Sequence, residues 1–170
     1  MFMVAGFFRR AWAQDLALRF LPLARPVVVP LEDLARPWRA RPFTADGVTL
    51  STAATPNQPI RVAGMVVRIA AGGNQPDQFS AVCVRCPHEG CDCDFIADPD
   101  QLPKEVKEEI GHAVQNSVYI CPCHNSTFNA QNGERLAGPA PRGLYRFRVT
   151  NVSDAAVEIA EVEEDVLIFV

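Results

Sequence analysis

The chain has 170 residues, which supports about one domain with room for a subdomain. A hydrophobic share of 48%, a charged share of 21% and a net charge of −4 fit a soluble globular protein. The 16 basic residues gather into no dense patch, which argues against nucleic acid as a partner, and the mixed run Lys104-Glu105-Val106-Lys107-Glu108-Glu109 reads as a solvated helix face.

Residues 1–24 are rich in large apolar side chains, among them Phe2, Phe7, Phe8, Trp12, Leu16 and Phe20, but Arg9, Arg10, Asp15 and Arg19 interrupt them. No uncharged apolar run reaches the ~18 residues of a spanning helix. The stretch after Arg10 also breaks too early for an ordinary signal peptide. The charges scatter around a helical wheel instead of forming one face. The segment reads as a helix that docks on a partner or the membrane edge, the alternative being a poorly ordered terminus.

Pro22, Pro26, Pro30, Pro37 and Pro42 exclude a long helix across residues 25–45. Val27-Val28-Val29 reads as a short strand and Leu31-Glu32-Asp33-Leu34 as one helical turn. From Gly47 onward, short β-type runs at 47–50, 60–62, 66–69 and 79–84 alternate with turns, with Gly64 and Ala71-Gly72-Gly73-Asn74 as hairpin turns.

The last of these runs leads into Cys86-Pro87-His88-Glu89-Gly90-Cys91, and a second loop follows at Cys121-Pro122-Cys123-His124-Asn125-Ser126. Each loop offers a cysteine and a histidine at tight spacing, C-x-H and then C-x-x-H, and adds a further cysteine. A [2Fe–2S] cluster with two thiolates on one iron and two imidazoles on the other needs this ligand set. Proline and glycine bend the backbone around so compact a group. A structural zinc site accepts the same ligand types, and ligand geometry separates the two; zinc leaves the two extra cysteines unexplained.

Between the loops, residues 98–103 form a turn and residues 104–116 read as a helix with Val106, Ile110 and Val114 on one face. His112 on that helix reads as an ordinary surface histidine. Residues 117–120 return as a strand. Gly133 marks a turn, Gly138-Pro139-Ala140-Pro141 a stiff one, and 145–149, 156–161 and 166–170 complete the strands. Cys83 sits in an apolar run as a small hydrophobe. Cys93 is either buried or free and exposed, and carries no assigned role.

The motifs C-x-H-x-x-C, C-P-C-H-x-S and Gly-Pro-Ala-Pro, spread over about residues 60–150, resemble those of Rieske iron–sulfur proteins of cytochrome bc complexes. The resemblance implies an all-β fold, an antiparallel Rieske-type sandwich. Base sheets would lie at about 25–82 and 144–170, a cluster-binding subdomain at about 83–143, and an N-terminal docking or targeting segment at 1–24. It places Cys86 and Cys121 on one iron and His88 and His124 on the other. It pairs Cys91 with Cys123 in a disulfide, which on the chain-entropy picture constrains the unfolded state by ~3.5 kcal/mol. Gly138, Pro139, Ala140 and Pro141 become a lid over the cluster, and Ser126 a hydrogen-bond donor to a cluster sulfur.

Phe128 stands where high-potential relatives carry a tyrosine donor, which implies a lower potential and a menaquinol-type substrate. Asn125 replaces a usual glycine; if that position needs positive φ, Asn is the best-tolerated substitute. The implied function is one-electron transfer from a quinol, hydrogen-bonded by His124 with proton-coupled transfer, to a cytochrome. The implied partners are cytochrome b-type and c-type subunits on the outer, periplasmic face of an energy-transducing membrane, with no nucleic acid. The alternative is the electron-relay small subunit of a soluble oxidoreductase of the arsenite-oxidase kind. A Rieske ferredoxin or oxygenase domain ranks last, since those lack the cysteine pair.

Overall fold

The computed structural model describes residues 18–51 and 56–164. Six antiparallel strands form the larger sheet: β1 (Phe20–Pro30), β2 (Ala40–Ser51), β3 (Pro56–Arg68), β4 (Phe79–Cys83), β9 (Arg146–Val152) and β10 (Ala156–Glu163), in the order β1-β10-β9-β4-β3-β2. Four short strands form the second: β5 (Asp94–Ile96), β6 (Val118–Ile120), β7 (Thr127–Asn129) and β8 (Arg135–Ala137), in sequential order. The second sheet is built entirely from the chain between β4 and β9, so a smaller unit is inserted into the larger one. The fold is the antiparallel all-β sandwich that the sequence implies, with one short helix, α1 (Lys104–Ile110), in the insertion.

β4 joins the two units. All five of its residues are buried, as expected of a strand covered on both faces. Its period-2 alternation sends Phe79, Ala81 and Cys83 into the base core with Leu34, Phe43, Val66, Phe147 and Ile159. Val82, with Val84 just beyond, joins the second core, which holds Cys86, Cys93, Tyr119, Cys121 and Phe128. Cys83 is therefore a base-core side chain at 0% exposure, and its position on the alternate face removes it from the metal-ligand group.

The structure corrects several sequence expectations. Gly64 makes no hairpin turn: the run at 60–62 and all but the last residue of the run at 66–69 belong to the single strand β3. Phe43 pairs with Gly64 across β2 and β3, and a Cβ there would lie 2.3 Å from the Phe43 ring. The glycine marks a close approach inside a strand, not the end of one. The strand expected at 27–29 begins earlier, at Phe20, so residues 20–24 are extended instead of helical. Pro22 and Pro26 are tolerated because β1 lies at the sheet edge and its register shifts between Pro22 and Val27. The rest of the expected N-terminal helix, at 1–17, and the strand at 166–170 lie outside the described residues.

The helix expected over 104–116 stops at Ile110. Gly111 adopts φ 74° and its N–H returns to the Lys107 carbonyl at 3.1 Å, a left-handed C-cap. Val114 still packs against the cluster of Val106, Ile110, Val118 and Ala137, so the apolar spacing reflects a shared core and not a continuing helix. His112 lies beyond the helix end, its Nδ1 3.0 Å from the Ile110 carbonyl. The turn at Leu31–Leu34 is a 3-10 turn, as its sequence suggests.

Candidate metal centre

The two cysteine–histidine loops share one backbone design. In the first, Cys86 N–H donates to the Cys91 carbonyl at 2.8 Å and Gly90 N–H to the Cys86 carbonyl at 2.9 Å. In the second, Cys121 N–H donates to the Ser126 carbonyl at 2.8 Å and Asn125 N–H to the Cys121 carbonyl at 2.9 Å. The fourth residue after the leading cysteine has positive φ in both: Gly90 at 77° and Asn125 at 59°. Asparagine reaches this region more readily than other non-glycine residues, so Asn125 does the work of a glycine.

Strand pairing sets each loop in place. β6 and β7 flank the second loop, with Tyr119 opposite Phe128 and Ile120 opposite Thr127. The first is closed by the Arg85–Asp92 bridge, a Cys93 N–H to Val84 carbonyl bond of 2.8 Å, and Arg85, which ion-pairs with Asp92 and donates to the Gly90 carbonyl. A Cys91–Cys123 disulfide, with Cα atoms 6.6 Å apart, ties the loops together.

The donor atoms separate by chemistry. The thiols of Cys86 and Cys121 are both 2% exposed and share a group with Cys93 whose Sγ atoms lie within 4.8 Å of one another. The rings of His88 and His124 meet edge to face with centroids 4.9 Å apart and sit toward solvent; the His124 side chain is 47% exposed. Neither is a core histidine. Glu89 stands beside them, its carboxylate 3.7 Å from His124 Nδ1. A buried sulfur side and a wetter imidazole side suit one group that needs thiolate at one end and ring nitrogen at the other.

Electrostatics agree with this division. Burial raises the Cys86 thiol pKa most, and the nearby Cys121 sulfur raises it further, while the His88 backbone N–H and the Ser126 hydroxyl pull it down. Groups that favour the thiolate are thus already in place around a sulfur that a cation would hold deprotonated. Ser126 is fully buried, and its Oγ accepts from Ala140 N–H at 3.1 Å, which leaves its own proton free for a sulfur.

The Gly-Pro-Ala-Pro segment packs directly on Ser126. Gly138 has φ 85°, and a Cβ there would fall 2.4 Å from Ser126 Cα. The segment is held from outside by Glu109 of α1, which accepts from Gly138 N–H at 2.8 Å, and by Arg135, which donates to the Gly138 carbonyl at 2.6 Å. The insertion between the loops therefore helps to hold this segment. Sequence reasoning missed that, because nothing in residues 104–110 announces a partner 29 positions later.

The family model for the Rieske [2Fe-2S] domain matches residues 49–152, more than half of the chain and both loops. The chain belongs to the Rieske family. Its cofactor is accordingly a [2Fe–2S] cluster, and the separated thiol and imidazole donors fit that group. The Rieske chain is also similar to a solved structure, the cyanobacterial plasma membrane Rieske protein PetC3 from Synechocystis PCC 6803. The identity is 24%, the match covers 68% of this chain and 84% of that one, and the TM-score is 0.39. No curated protein matches the chain.

Sequence reasoning left Cys93 without a role, yet the structure buries it beside the Cys86 and Cys121 thiols. A signal was present: Asp92 and Asp94 flank it, and strand alternation with both aspartates outward turns Cys93 inward. No helix among the described residues is long and apolar enough to cross a membrane.

Proposed function

We propose that this Rieske protein holds its cluster through Cys86 and Cys121 on one iron and His88 and His124 on the other, and accepts an electron with a proton from a quinol. The observation that carries the reading is an imidazole pair, His88 half-buried and His124 exposed, with a buried thiol group in the same two loops, which a disulfide joins. When bound, the cluster supplies one-electron exchange at a potential raised by its histidine ligands.

The chain's own residues do the remaining work. His124 is the better exposed imidazole; it takes the quinol hydrogen bond and holds the transferred proton on its free ring nitrogen. His88, half-buried, is the second imidazole ligand. Ser126 donates to a sulfur, stabilises the more negative reduced state, and so favours reduction. Gly138, Pro139, Ala140 and Pro141 act as a lid that keeps water from that side, their φ angles narrowed by proline.

Phe128 offers no hydroxyl, which suits a menaquinol-type donor of lower potential. The onward acceptor is a cytochrome c-type subunit, with a cytochrome b-type subunit completing the quinol pocket on the outer, periplasmic face of the membrane.

Co-purification from solubilised membranes tests the assembly: b- and c-type cytochromes should accompany the chain, and quinol-site inhibitors should perturb the reduced cluster's EPR signal. Recovery with a molybdenum subunit, with no inhibitor effect, would refute the quinol reading in favour of an electron-relay subunit. Phe128→Tyr tests the tuning argument by redox titration. The midpoint should rise, with about a tenfold gain in the reduced form at fixed potential, or ~59 mV for one electron; an unchanged or lower value defeats the argument.

A further inference from the structure

The reading above uses two imidazoles and two thiols and gives no part to the acid that stands with the histidines. Glu89 follows His88 directly, and its carboxylate lies 3.7 Å from Nδ1 of His124 in the other loop. One donor atom from each of His88, Glu89 and His124 falls within 4.8 Å of the others. Two constraints keep Glu89 there. Gly90, at φ 77°, turns the loop back so that its N–H reaches the Cys86 carbonyl at 2.9 Å. Two residues after Glu89, the Cys91–Cys123 disulfide fastens this loop to the second.

The neighbouring charges of the first loop offset each other, since Asp92 pairs with Arg85 at 3.3 Å. Glu89 has no lysine or arginine partner among the described residues. An imidazole that binds a metal is neutral, so it leaves the carboxylate's charge in place. A whole negative charge therefore stands against the imidazole end of the site. Reduction adds one electron to the cluster, and net charge is one of the quantities that sets a cluster's potential. A like charge nearby opposes the added electron.

We propose that Glu89 is a potential-setting residue, whose carboxylate holds the midpoint below the value that the ligand set alone would give. The inference rests on His88 and His124 as iron ligands, and it deepens the reading of a low-potential quinol donor. It acts from the opposite side to Phe128. Phe128 withholds a hydroxyl within the buried core that holds the cysteine sulfurs, whereas Glu89 adds a charge on the solvent side, beside the imidazoles. The Glu89 side chain is 59% exposed, so water screens the interaction and keeps its size modest.

The test uses the full chain with its cluster reconstituted, as wild type, Glu89→Asp, Glu89→Gln and Glu89→Lys. Each is titrated to its midpoint by EPR at one neutral pH, with iron content measured alongside. Glu89→Gln should move the balance about threefold toward the reduced form at fixed potential, or ~28 mV for one electron. Glu89→Lys changes the charge by two steps and should move it about ninefold, or ~56 mV. Glu89→Asp keeps the charge and should stay nearer to wild type than Glu89→Gln does. Raising the ionic strength from about 0.01 M to about 1 M shortens the screening length from ~30 Å to ~3 Å, so the spread among the variants should shrink. A purely structural role would follow neither the charge series nor the salt.

A Glu89→Gln midpoint at or below wild type, with full iron, overturns the charge argument and leaves the ligand assignment standing. So does a Glu89→Lys shift no larger than that of Glu89→Gln, or a spread that salt does not reduce. Failure of the underlying assignment reads differently: His88→Ala and His124→Ala would keep their iron and an unaltered EPR signal, which removes both proposals.

Discussion

Gly138→Ala probes the segment that covers Ser126, and its cost can be worked from contacts. The backbone there has φ 85°, and the new methyl would meet Ser126 Cα at 2.4 Å, its N at 2.7 Å and its Oγ at 2.9 Å. An L-residue in the left-handed region costs ~1–2 kcal/mol, and forcing apart well-packed atoms adds ~1–3 kcal/mol. The obstructing atoms are mostly backbone, so no side chain can swing aside. Relief requires the segment to move, which strains the bonds from Gly138 to Glu109 and Arg135 and from Ala140 N–H to Ser126 Oγ. The expected loss is about 2–5 kcal/mol.

Gly111→Ala is the matched control. It has a similar φ of 74°, but the nearest atom to its Cβ is 4.0 Å away, so only the conformational cost of ~1–2 kcal/mol applies. Denaturant unfolding followed by backbone circular dichroism gives both values, compared at unchanged slope. If Gly138→Ala costs no more than Gly111→Ala, the close packing of this segment on Ser126 is refuted.

Three further outcomes follow from the same geometry. Asn125→Gly should be neutral or slightly stabilising, while Asn125→Val should cost ~1–2 kcal/mol or more, because φ 59° penalises a β-branched residue; thermal melts compare them. The double variant Cys91→Ser/Cys123→Ser should lose ~2–4 kcal/mol, since its loop spans 32 positions, and its stability should no longer respond to reductant in denaturant titrations. Burial lifts the Cys83 thiol pKa from 9.0 to about 11. Between those values the unfolded chain has released the proton and the native chain has not, so this contribution is complete below pH 9 and drains away as pH rises toward 11. Cys83→Ala should flatten that alkaline loss in stability-against-pH curves, and an unaltered slope would contradict the assignment.

The division between what the chain announced and what folding added follows interaction range. Both ligand loops were legible because their donors lie within six consecutive positions each, and metal ligation restricts residue type severely. Positive φ at Asn125 was only a conditional expectation, raised by the glycine that relatives carry there, and the structure supplies the angle itself. Gly64 was misread because its neighbour in the argument is Phe43, across a strand pair, and a glycine that yields space to an aromatic ring looks in sequence like one that turns the chain.

The sequence by itself determined the cofactor class, the two loops and the all-β alternation, each written in short-range spacing. Only tertiary structure decided the rest. It turned Cys83 into the base core and Cys93 toward the sulfurs, and brought Glu109 to the backbone of Gly138. The physical reason is that burial and hydrogen-bond partnership belong to pairs of elements, and two cysteines ten residues apart become different chemical groups when sheet packing turns them into separate cores.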